Sequence, residues 1–225
     1  MTREMKAYRN FIFDMDGTLF TSEPILGLAY ADAVDTLEKE NIPGLRKPAV
    51  EEILKYVGYP ASVIFANLFP HVNEETRSRL NAAALEALVN RIGQARDLMY
   101  PGIKEFLEEI HRQGIRMYLA SNGRRKYLAA ILDAYKLTDF FPEFFTIEDP
   151  QTPSKSAILE YYVRNNNLVK GETVMVGDRK SDLDAARDNG IDFIGVIWGH
   201  GNKQEIASAD YLFYAVEDFA RAVLG

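Results

Sequence analysis

Short apolar runs recur along the chain with helical patterns between them. They are "FIF" at residues 11–13, "RMYLAS" at 116–121, "TVMVGD" at 173–178 and "DFIGVIWG" at 192–199. Each of the first three passes directly into polar residues at its C-terminal end, which is where open, mostly parallel α/β sheets hold their ligands. The intervening helices are marked by their borders. "PGIKEFLEEIHRQG" has Pro101 near its start, Ile103, Phe106, Leu107 and Ile110 on one face, and Gly114 at its stop. "KSAILEYYVRNNN" and "SDLDAARDNG" follow the same plan, and further edge strands are expected near Phe144–Ile147 and Tyr211–Phe213.

Residues 22–94 break this grammar. "EPILGLAYADAVDTLEKENI", "AVEEILKYVG", "ASVIFANLF" and "NEETRSRLNAAALEALVNRI" read as consecutive helices with no convincing strand between them. The pattern predicts an α/β core from residues 1–21 and 95–225, with a second, all-helical domain (22–94) inserted over the sheet edge.

Composition narrows the chemistry. A chain of 225 residues and 25.5 kDa can build one sizeable core and a satellite domain. With no cysteine, disulfides, thiolate nucleophiles and sulfur-ligated zinc are excluded. The segment "MTREMKAYRN" is polar and no stretch approaches the length of a membrane span, so a cytoplasmic protein is expected, with no membrane partner, as a monomer or weak homodimer. A net charge of -7 argues against duplex nucleic acid, although "GRRK" (123–126) and "DRK" (178–180) remain compatible with one bound phosphate.

The polar strand ends carry the candidate site. Asp14 and Asp16, at period two in an extended segment, project the same way while Met15 packs, and Gly17 gives room for the following turn. Two carboxylates about 4 Å apart repel by roughly 4 kcal/mol at an effective dielectric of 20, so a cation or a shared proton is expected. Asp178 joins Asp14 in an oxygen-rich set suited to Mg2+. Asp182 reads as a ligand or, preferably, as an acceptor that positions a metal-bound water or a basic side chain. Ser121, Asn122 and Gly123 offer a hydroxyl, an amide and a backbone donor for a phosphate, against the bland reading of a helix cap. Lys155, at the start of a helix, is placed to supply a fixed positive charge. These parts compose a phosphoryl transfer in which Asp14 is the nucleophile, Asp16 the acid/base, and the metal with Lys155 neutralises the transferring group.

The set resembles the haloacid dehalogenase superfamily, in particular its phosphatases. "DMDGT" (14–18), "SN" (121–122), Lys155 and "GDRKSD" (177–182) match its four motifs in family order. The resemblance implies a Rossmann-like core and a helical cap that closes over the substrate. It also implies a magnesium-dependent aspartyl-phosphate intermediate, with the Asp16 backbone carbonyl as a metal ligand beside Asp14 and Asp178. Thr18 resembles the phosphatase choice at a position that supports the acid/base residue. "YPGIKEFLEEIHRQG", "SNGRRKYL" and "GVIWGHG" look most like the phosphoglycolate-phosphatase and nucleotidase-like group, from which Thr21 in "TSEP" departs.

In the cap, Gly58 and Pro60 break two helices at a loop that could reach the substrate, with Arg46, Lys47 and Lys55 as candidate anion contacts or as solvated charges. Arg179 and Lys180 read equally as substrate contacts or as a surface pair. The leading expectation is hydrolysis of a small-molecule phosphate ester. A phosphomutase of the same family is the nearest alternative, disfavoured by the lack of histidine at the start of the cap, and a non-catalytic binding module is the alternative from another class.

Overall fold

The computed structural model describes residues 5–225; the first four residues, counted above with the core, lie outside the described residues. Six strands form one sheet: β1 (Asn10–Phe13), β2 (Arg116–Ser121), β3 (Phe144–Thr146), β4 (Thr173–Gly177), β5 (Asp192–Val196) and β6 (Tyr211–Phe213), in the order β3-β2-β1-β4-β5-β6. All the pairings within it are parallel. The chain winds outward from β1 in both directions, so the crevice at the C-terminal end of β1 is the topological switch point.

β1 is buried on both faces because its side chains alternate between two separate cores. Phe11 and Phe13 stack at 5.8 Å in one of them, with Phe13 meeting Phe106 and Phe141 edge-on. That layer is closed by α5 (Ile103–Arg112), α6 (Arg125–Ala134) and α9 (Val216–Leu224). Ile12 points the other way, into the layer made with α7 (Lys155–Asn165) and α8 (Lys180–Asn189). Burying each of these large apolar side chains contributes roughly 1.5–3 kcal/mol, and together they fix the register of the strand that carries Asp14.

The strands at 116–121, 144–146, 173–177, 192–196 and 211–213 follow the apolar runs closely. Between β1 and α5 lie only helices among the described elements: α1 (Glu23–Leu37), α2 (Val50–Leu54), α3 (Ala61–Leu68) and α4 (Glu74–Ile92). They pack around a third core that includes Leu26, Tyr30, Phe65, Leu68, Phe69 and Leu80. Asn73 caps α4 by accepting from the Thr76 amide at 2.9 Å. Gly58, at φ 90°, and Pro60 separate α2 from α3. The two connections to this helical layer run side by side: the Thr21 amide donates to Leu98 O at 2.7 Å and the Tyr100 amide to Leu19 O at 3.2 Å. Among the described residues no helix is long and apolar enough to cross a membrane.

Candidate active site

Asp14 follows β1 directly, and its amide continues the ladder to Val176 O at 2.9 Å. Its carboxylate is buried, as are those of Asp178, just past β4, and Asp182 in the first turn of α8. Lys155 opens α7, whose N-terminus is set by Ser154 accepting from the Ala157 amide at 3.1 Å. The lysine is buried between two of the acids, donating to Asp14 Oδ1 at 2.7 Å and to Asp182 Oδ1 at 2.5 Å. Burial opposes its charge, but the flanking Asp14 and Asp182 carboxylates outweigh it and hold Lys155 protonated above the ordinary lysine range. Asp182 spends its other oxygen on the Arg179 amide at 3.0 Å, so it positions the lysine and the turn together.

Two oxygens in this cluster are left over. Asp14 Oδ2 and Asp178 Oδ1 are buried without a hydrogen-bond partner, and Asp14, Asp178 and Asp182 offer carboxylate oxygens within 4.8 Å of one another. Buried unpartnered carboxylate oxygens are costly, and an all-oxygen donor set suits a hard divalent cation. The residues therefore fit a metal ion, with the free lone pairs on Asp14 and Asp178. Burial, followed by Asp182, pushes the Asp178 carboxyl up from 3.8 to about 7, and burial likewise raises Asp14 against the pull of Lys155.

The other Asp178 oxygen is fixed by a loop. The amides of His200 and Gly201 each donate to Oδ2 at 2.8 Å. A side chain at 201 would place its Cβ 1.7 Å from the Asp178 carbonyl oxygen, so only glycine fits there. Gly17 is similarly constrained, at φ 86° and with its missing Cβ 2.4 Å from Asp178 Oδ2.

Asp16 lies with Asp14 at the floor of the cavity between the sheet edge and the helical layer. The Tyr127 hydroxyl donates to its Oδ1 at 2.6 Å. Burial raises the Asp16 carboxyl above its usual range, while hydrogen bonds from Tyr127 and Ser22 oppose that rise. The Thr18 hydroxyl is buried without a hydrogen-bond partner, while the Thr18 carbonyl accepts from Trp198 Nε1 at 3.1 Å. The tight turn on Met15 O takes Thr18 into the interior, and Tyr127 and Ser22 bear on Asp16.

Ser121, Asn122 and Gly123 border the same cavity from the end of β2. Ser121 Oγ accepts from the Gly123 amide at 2.9 Å, and Asn122 donates to Gly58 O at 2.8 Å. Gly58 is thus brought to the site. The proposed cap cations are not. Arg46 and Lys47 are exposed and paired with Glu52 and Asp35, Lys55 is exposed, and none of the three borders the cavity. Their own acidic neighbours on α1 and α2 hold the paired cations on the outer face of the helical layer.

The sequence model of the haloacid dehalogenase-like hydrolase family matches residues 11–196. The chain belongs to the haloacid dehalogenase-like hydrolases. Curated relatives include the phosphoglycolate phosphatase of Pseudomonas fluorescens (strain Pf0-1), 29% identical over 205 residues, covering 88% of this chain and 73% of that protein. The phosphoglycolate phosphatase of Vibrio vulnificus (strain CMCP6) is 27% identical over 210 residues, 90% of each chain. A predicted phosphoglycolate phosphatase from Haemophilus somnus 129pt shares the fold at a TM-score of 0.82 and 22% identity, over 96% of this chain and 98% of that one. The β-phosphoglucomutase of Clostridium difficile shares it at 0.72 and 16%, over 96% and 97%. Among haloacid dehalogenase-like hydrolases, this chain falls with the phosphoglycolate-phosphatase-like phosphatases.

Several groups at this hydrolase's site escape a reading by strand ends. Tyr127 and Ser22 bear on Asp16 from α6 and from the entry to α1. Arg179 is buried rather than at the surface, donating through Nε to Val57 O at 3.0 Å and through Nη2 to the same oxygen at 2.5 Å, with its guanidinium 5.6 Å from the Tyr59 ring. The remaining basic side chains of the two clusters are satisfied locally: Arg124 by Glu148, Arg125 by Asp149, Lys126 by Glu86 and Lys180 by Asp184.

Proposed function

We propose that this phosphatase is a magnesium-dependent phosphomonoester hydrolase that works through an aspartyl-phosphate on Asp14, with residues 22–94 acting as a cap over a small-molecule ester. The observation that carries the reading is the buried Lys155 between Asp14 and Asp182, beside unpartnered oxygens of Asp14 and Asp178. That arrangement holds Asp14 at the switch point with one oxygen oriented and one available.

Asp14 attacks phosphorus, and the phosphorus–oxygen bond to the alcohol breaks. Asp16 gives its proton to the departing oxygen, a role that its raised pKa favours. Asp16, now ionised, takes a proton from the water that attacks the aspartyl-phosphate, which regenerates Asp14 and frees inorganic phosphate. Ser121, Asn122, the Gly123 amide and Lys155 hold the phosphoryl oxygens, with Asn122 exchanging Gly58 O for substrate. Asp14, Asp178 and the Asp16 carbonyl would hold the Mg2+, which when bound supplies neutralisation of the transferring group's charge. The cap excludes water and selects the alcohol.

The test is phosphate release from a panel of organic phosphates with and without Mg2+. Release that depends on the ion is expected. Undetectable turnover across the panel, together with a reproducible protein complex, supports a binding module instead. Isomerisation of a sugar monophosphate without net phosphate release supports a mutase.

A further inference from the structure

The cavity above Asp14 and Asp16 has a volume of about 90 Å³ and opens to solvent. Its far wall, from α1, α3 and α4, is made by Leu26, Tyr30, Ile64, Phe65, Leu85 and Leu88, and Tyr30 stacks on Phe65 at 5.2 Å. The hydroxyls of Ser22, Tyr30, Tyr59 and Tyr127 and the amide of Asn122 also line the cavity, all of them uncharged. Asn81 is the amide on α4, and Arg124, on the core side, is the sole cation among the described lining residues. Arg124 is already paired, with Nε donating to Glu148 at 2.9 Å.

A substrate anion beyond the phosphoryl group would therefore meet apolar carbon and uncharged hydroxyl and amide groups, with no unpaired cation among the described lining residues. Desolvating a carboxylate there without a free counter-charge is strongly unfavourable. An aliphatic or aromatic body, by contrast, gains by displacing water from the same wall. The other basic residues near the cavity, on the helical layer and on the core, offer no remedy. Arg46 and Lys47 are held outward by Glu52 and Asp35, and Arg179 is committed to Val57 O.

We infer that the alcohol released by this enzyme is uncharged and has an apolar body, in contrast to the carboxylate-bearing alcohol named in its phosphoglycolate phosphatase relatives. The inference rests on the phosphomonoesterase reading above and specifies its substrate class. Linear alkyl phosphates test it because their leaving groups differ little in intrinsic reactivity, so the trend reports the wall.

In the Mg2+-supplemented enzyme, kcat/KM should rise by about threefold to fourfold per added methylene from ethyl to hexyl phosphate. Adding a terminal carboxylate, as in 6-phosphooxyhexanoate, should lower it by about tenfold or more relative to hexyl phosphate, and phosphoglycolate should rank below hexyl phosphate. Ile64→Lys, on the half-buried face of α3, should move the ratio of phosphoglycolate to hexyl phosphate towards the acid. A flat alkyl series, or a preference for phosphoglycolate over hexyl phosphate, overturns the inference while leaving the phosphatase standing. No phosphate release from any of these esters, or from the wider panel above, overturns the phosphomonoesterase reading itself.

Discussion

On the core side of the cavity, Lys155 is buried between Asp14 and Asp182, and Asp178 is pinned by two backbone amides. On the helical side, Tyr30 lies on Phe65 among leucines, and the cations Arg46 and Lys47 are paired at the outer surface. The first wall concentrates charge at the end of a strand buried on both faces, where each buried ion has its partners held in place. The second is packed chiefly by apolar side chains, an arrangement that tolerates changes of shape so long as volume is kept. On the proposed function, chemistry common to the family belongs on the first wall and selectivity that differs between members on the second.

The sharpest break between the walls is expected from Asp14→Asn. It should lower turnover by roughly 10³-fold or more while the fold, read by circular dichroism, persists. Retention of near-normal phosphate release would remove Asp14 from the nucleophile's role.

Next comes the pH dependence of the metal-free protein. Asp178, ordinarily at 3.8, is raised to about 7, chiefly by burial. Across that interval the folded chain binds a proton that the unfolded chain has released. The contribution is therefore full below about pH 4 and is lost as pH rises through about 7. The melting temperature of chelator-treated protein should fall over this range, and saturating Mg2+ should flatten the slope. An unchanged slope on adding the ion would count against Asp178 as a ligand.

Arg179→Ala tests how the walls are joined. Losing charge-assisted hydrogen bonds to Val57 O should cost about 1.5–3 kcal/mol and speed amide exchange around residues 54–60. Equal exchange in variant and parent would show that Asn122 and the linkers hold the loop without it. The smallest effect is expected on the outer face, where Arg46→Ala with Lys47→Ala should change kcat/KM by no more than about twofold. A large loss there would bring these cations back to the substrate.

The core wall was legible because its signals are local. A strand buried on both faces must be a short apolar run, and acids directly after such runs stand out. A role for Asp182 in positioning a water or a basic side chain was legible too, since it opens a helix at the strand ends; that the basic partner is Lys155 comes from the structure. Tyr127 was hidden because it looks like any aromatic on an amphipathic helix, and only folding brings it across 111 positions to Asp16. Arg179 was hidden for the opposite reason: beside Lys180 it reads equally as a substrate contact or a surface charge, yet the break at Gly58 exposes the Val57 carbonyl that draws it inward. The glycines of "GHG" did carry a local signal, since a loop that needs glycine at 201 is packed against another backbone.

The paired connections at Thr21–Leu98 and Leu19–Tyr100 also bear on how such an enzyme can change over evolutionary time. Because the outgoing and returning chains are neighbours, the intervening helices begin and end at nearly the same point in space. A tight turn could bridge that gap, and a different insert could start from the same two ends without altering the order or register of any strand. The sheet and its strand ends are thereby portable, and the helical insert can be exchanged as a unit.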